Sequence, residues 1–143
     1  MPIAALTFFL FCLSVVVLGR ALPEPGFAAG WIDRTGFVVL LAGLARHVWT
    51  TWWIVRAKAA AGRPSAHRMQ SKGPYRINRN PGFTNQWIML LGLVLMQGAW
   101  IALLPLVLYP PVMTRLFVLR EEEHLIGLYG DEARAHLERT RRW

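Results

Sequence analysis

Negative charge is scarce in this chain. Asp and Glu number 8 against 16 Lys and Arg, which leaves a formal net charge of +8 over 143 residues. Cysteine occurs once, so an internal disulfide is excluded. Cys12 lies in an apolar run, as befits a small residue facing lipid or a neighbouring helix. No phosphate-cradling Walker loop, no Gly-x-Gly-x-x-Gly fingerprint and no nucleophile elbow occurs. His67, His124 and His136 are scattered without the spacing of metal ligands, so no metal site is expected. The basic excess is confined to segments beside apolar blocks, which argues against a nucleic-acid partner.

Long apolar blocks dominate what is present: 55% of the residues are hydrophobic. A membrane span needs roughly 20 mostly apolar residues. Residues 3–20 and 35–55 meet that requirement. No Lys or Arg precedes the first block, so it lacks the basic flank of a cleaved leader and reads as a retained span. The block from Phe83 to Leu119 is too long for one crossing of a core about 30 Å thick. Gln97-Gly98-Ala99-Trp100 offers a turn near its middle. This predicts a short helical hairpin, 83–97 and 100–119, with Pro105, Pro110 and Pro111 kinking the second arm. The predicted fold is a single all-α integral membrane domain over 1–143. It has about four transmembrane helices, including the hairpin, and further helices in the tail 120–143.

The connection 56–82 contains Arg56, Lys58, Arg63, Arg68, Lys72, Arg76 and Arg79 and no acid. The positive-inside bias places it in the cytoplasm. Four spans then bring both termini and the tail to that side. Within the connection, Gly73-Pro74 and Asn80-Pro81-Gly82 enforce two turns around Tyr75, Arg76 and Arg79. Such a frame suits either a carboxylate or anion cradle or a connector resting on anionic lipid. Glu121-Glu122-Glu123 follow the last span directly. Successive residues on a helix point about 100° apart, so Glu121 and Glu122 cannot both face one partner. Arg46 lies inside the second span, where an unpaired charge costs on the order of 3 kcal/mol, so it needs a partner or a polar cavity. His47 beside it reads as a packing residue. Trp49, Trp52 and Trp53 read as an interfacial belt or a wall for a lipophilic substrate. Residues 131–143 suggest an amphipathic helix with Arg139, Arg141 and Arg142 on headgroups and Trp143 as an interfacial anchor.

These residues are similar to those of a known family. "GPYRINRNP" (Gly73–Pro81), the apolar hairpin with Gly92, Gly98 and Trp100, "EEEHLIGLYG" (Glu121–Gly130) and "RTRRW" (Arg139–Trp143) resemble the isoprenylcysteine carboxyl methyltransferases. That group is related to the phospholipid N-methyltransferases. The resemblance covers Arg46 to Trp143. It implies an integral-membrane transferase that uses S-adenosylmethionine and acts on a lipophilic or lipid-linked acceptor, an isoprenylcysteine-like carboxylate first of all. It implies a cofactor site lined by Arg79, Asn80, Pro81, Glu121 and Glu122; Tyr75 and Arg76 of the same turn join them as binding candidates, and Arg46 and Glu122 are the catalytic candidates. Alternatives are a phospholipid N- or thiol S-methyltransferase, and an inactive scaffold or ligand sensor. The chain departs from the family pattern at Asn80, where the family has His, and also at Phe83, Asn85, Ala133, His136 and Arg141. Asn80 can hydrogen-bond a cofactor but cannot carry a proton.

Overall fold

The computed structural model describes residues 2–21, 26–27, 30–60, 72–76 and 78–143. Its helices are α1 (Pro2–Ala21), α2 (Gly30–Ala60), α3 (Pro81–Gln97), α4 (Leu103–Met113), α5 (Leu119–Tyr129) and α6 (Asp131–Arg139). Short 3-10 turns occupy Gly73–Arg76 and Trp100–Ala102, and a π turn, Thr114–Val118, joins α4 to α5. The all-α membrane architecture is as the sequence reads. Three stretches are long and apolar enough to cross a membrane: Ile3–Ala21, Gly30–Ala57 and Trp100–Tyr129. At 17 residues α3 is shorter, about 25 Å at 1.5 Å per residue.

Helix α3 is central and packs against α1, α2 and α4. Lipid tails offer no hydrophobic reward for helix association, so close backbone approach and polar bonds hold the helices together. Three glycines allow the approach of α2 to α3. A Cβ on Gly92 would stand 2.5 Å from the Leu40 nitrogen and 2.7 Å from the Gly36 oxygen; one on Gly43 would stand 2.9 Å from the Met89 nitrogen. The rest of α2 exposes Trp31, Phe37, Val38, Leu41, Leu44, Val48 and Val55, an apolar surface that suits lipid. On the other side of α3 the core gathers around Tyr109, which is fully buried. Phe8 and Phe11 of α1 meet its ring edge-on, and its hydroxyl donates to Gln86 Oε1 at 2.7 Å.

The hairpin turns where expected. Gly98 closes α3 at φ 62°, a left-handed conformation that favours glycine, and its carbonyl accepts the Phe27 amide at 2.7 Å. The second arm tolerates Pro110 and Pro111 for local reasons. Pro110 has no N–H for the Leu106 carbonyl, and the Trp87 indole N–H fills that place at 3.1 Å. The π turn begins three residues after Pro111, and the helical path runs on through the glutamates to Tyr129.

The end of the chain differs from expectation. Helix α6 stops at Arg139, and Thr140–Trp143 turn back as an extended strap beside the turn that precedes α3. Trp143 is not a free interfacial anchor. Its indole donates to Thr114 Oγ1 at 3.1 Å and its ring meets the edge of Tyr109. A partly buried hydrogen-bond acceptor and an aromatic neighbour outcompete the membrane surface for this ring.

Candidate functional site

The turn before α3 positions most of the candidates, and Asn78 organises it. The Asn78 carboxamide oxygen accepts the Asn80 N–H at 2.7 Å and its Nδ2 donates to Thr84 Oγ1 at 2.6 Å. Thr84 in turn donates its amide and hydroxyl to the Asn80 carbonyl. Pro81 starts the helix, where its missing N–H costs nothing. Because Asn78 does the bonding, Asn80 occupies the cap position without capping through its side chain. The residue is 6% exposed and its Nδ2 has no partner. Buried donors are normally satisfied, so a partnerless amide at a helix N-terminus fits a ligand's acceptor atom.

Arg79 is fully engaged with the end of the chain and with α5. Its Nε and Nη2 donate to the Thr140 carbonyl at 3.2 and 2.8 Å, and its Nη1 donates to Glu122 Oε1 at 3.3 Å. Arg142 grips the same carboxylate with Nε on Oε1 at 3.0 Å and Nη2 on Oε2 at 2.7 Å. Glu122 is thus buried and bonded at both oxygens. The Arg142 guanidinium is held more firmly protonated than usual by its hydrogen bond to Glu122. The headgroup role expected for Arg142 gives way to this pairing; Arg139 and Arg141 remain exposed.

Glu121 is exposed and makes no ion pair among the described residues. It lies near Tyr75, whose phenol is pushed up to about 12 by burial and by the Glu121 charge. Tyr75 therefore stays protonated at neutral pH, with its hydroxyl able to donate. The turn carrying Tyr75 rests on α2. Gly73 has φ 62° and lies so close to the Trp53 ring that a Cβ would collide with it. The Trp53 indole N–H is buried without a partner, as is His47 Nδ1. Trp49 and Trp52 remain exposed, with Arg56 stacked 5.1 Å from the Trp52 ring centre.

Of the sequence candidates, Arg79, Asn80, Pro81 and Glu122 come together, with Tyr75 and Glu121 beside each other. Arg76 is exposed. Arg46 does not pair with the glutamates; its Nε donates to Asn85 Oδ1 at 3.1 Å, while Asn85 Nδ2 donates to Thr50 Oγ1 at 3.0 Å. Sequence reasoning passed over Asn78, Thr140 and the pairing of Arg142. Asn85 stood out only as a departure from the family pattern, and the neighbouring in-span Arg46 was the signal that it had a partner to meet. Among the described residues no group of three His, Cys, Asp or Glu could hold a metal ion.

Fold and site together define a helical membrane protein with a polar, arginine- and carboxylate-rich centre at one end of its bundle. The family of phospholipid methyltransferases matches residues 32–132, and the chain belongs to it. It is a member of a family of membrane methyltransferases. Among curated proteins and among solved structures, none matches.

Proposed function

We propose that the protein transfers a methyl group from S-adenosylmethionine to a lipid-linked carboxylate at the cytoplasmic face. The observation that supports this best is the buried, unpartnered amide of Asn80 at the N-terminus of α3. Asn80 Nδ2 and Trp53 Nε1 are donors in need of acceptors, and the cofactor brings a carboxylate, hydroxyls and ring nitrogens. Glu121 supplies negative charge for its cationic end. Arg46 and Arg76, both exposed, can hold an anionic group of cofactor or acceptor. When bound, S-adenosylmethionine supplies an activated methyl group; the chain's own residues align it, keep the two reactants together and exclude water. The acid-free run of cations in 56–82 supports the cytoplasmic orientation.

A carboxylate acceptor suits these residues because it is already an anion and requires no base. Asn80 cannot take a proton, Tyr75 remains protonated, and both Glu122 oxygens are occupied. A second reading, a phospholipid amine, draws on the family's description and on His47, whose partnerless ring nitrogen is a base an amine would require.

The test is transfer of label from methyl-labelled S-adenosylmethionine by purified protein in vesicles, offered a prenyl-cysteine, phosphatidylethanolamine or a lipophilic thiol. Label in a base-labile ester of the prenyl-cysteine is the expected result. Label only in the amine selects the second reading, and no label in any acceptor contradicts both.

A further inference from the structure

Both glutamates of the Glu121-Glu122 pair stand as candidates for the cofactor's positive charge, yet the structure places them in different situations. Glu122 is closed off. Its side chain is 10% exposed and its two oxygens accept three bonds from two guanidinium groups. Freeing it for a ligand cation would leave Arg79 and Arg142 partly buried without their counter-charge, which is far costlier than leaving the group as it stands. The knot also does mechanical work. Arg79 grips the Thr140 carbonyl with two nitrogens, and its amide donates to the Arg141 carbonyl at 2.9 Å. Arg142 therefore ties the strap to α5, Arg79 ties it to the turn before α3, and Trp143 ties it to the π turn after α4 through Thr114. Three separate parts of the chain meet on one carboxylate. Glu121 is one residue along, turned about 100° away, exposed and beside Tyr75.

We infer that Glu122 and Arg142 are positioning residues, which lock Thr140–Trp143 against the turn carrying Arg79 and Asn80, and that recognition of the ligand's positive charge falls to Glu121 alone. The second half of this inference rests on the cofactor reading above; the first half does not. The adjacent carboxylates thus divide the work: one fixes the wall of the site and the other is left free for a ligand. The arrangement also gives the arginine-rich strap a definite function, since Arg142 acts on the site only through Glu122.

The experiment uses full-length protein in detergent as wild type, Glu121→Gln, Glu122→Gln, Arg142→Gln and Arg142→Lys. Trypsin cleavage after Arg141, followed by mass spectrometry, reports strap opening. Equilibrium binding of labelled S-adenosylmethionine reports the site. Cleavage of an opened segment tracks the population of its open form. Loss of the charged grip in Glu122→Gln and Arg142→Gln is expected to raise it about ten-fold or more. Arg142→Lys keeps the charge but loses the bidentate fork, so it gives an intermediate rate and serves if Glu122→Gln does not fold. Glu121→Gln is expected to keep the wild-type cleavage rate and to weaken binding about ten-fold or more, the scale of one charged hydrogen bond. Unchanged cleavage in Glu122→Gln and Arg142→Gln overturns the positioning role. Binding by Glu121→Gln within about two-fold of wild type overturns its recognition role. Wild-type protein that binds no S-adenosylmethionine, with strap opening as expected, overturns the cofactor reading and Glu121's part in it while supporting the knot.

Discussion

Asn85 is 1% exposed and bridges two helices, accepting a hydrogen bond from Arg46 and donating one to Thr50. Replacement by Leu strands both partners. The expected loss is about 1–2 kcal/mol in reversible unfolding in detergent, since intramembrane bonds are worth roughly 0.6–1.7 kcal/mol each. His136 gives a pH dependence. Burial, then the neighbouring Arg139 and Arg79 charges, lower its pKa below the ordinary value. The folded state therefore disfavours the protonated ring. Its contribution is intact above the unfolded pKa of about 6.5 and is lost as pH falls through the folded value. His136→Gln is expected to flatten that acid-side decline in a melting series, and an unchanged slope would refute the assignment. At this scale the sequence was only partly legible. Asn78 and Asn80 are chemically identical, and only the bonds of the folded turn decide which one organises it and which is left free. Arg139, Arg141 and Arg142 read alike as charged tail residues until the strap folds back and one of them meets Glu122.

Among the elements, the α2–α3 contact sets the most stringent demand. A methyl group on Gly92 meets backbone atoms of α2 at Gly36 and Leu40, so the helices themselves must separate. Gly92→Ala is expected to destabilise by about 1–3 kcal/mol, the usual cost of overpacking. Gly127→Ala, on the open face of α5, meets nothing within 4 Å and is expected to be neutral or stabilising by up to about 1 kcal/mol. Melting temperatures of the two variants check both signs together. The elements were largely readable because hydrophobic length, Gly98 and the helix-starting Pro81 act locally. The first span read at 3–20 is the helix Pro2–Ala21. The second runs beyond its apolar limits, from Gly30 to Ala60, because no helix breaker interrupts its polar ends. The end of α6 was misread because its stop depends on distant partners of the strap, not on a breaker in the local sequence.

For the whole molecule, the account joins an apolar, outward-facing bundle to one polar centre where the turn before α3, the start of α5 and the strap converge. Composition announced the membrane, and two separated motifs announced the centre. What composition could not show is the division between groups already bonded to each other and groups left without partners. Asn80 belongs to the second set, and Asn80→Leu removes its amide at similar volume. The most direct measurement is equilibrium binding of labelled S-adenosylmethionine to purified wild-type and Asn80→Leu protein. The account predicts saturable binding at one site per chain, weakened about ten-fold or more by the substitution. No saturable binding by the wild type, or equal affinity in the variant, would contradict it.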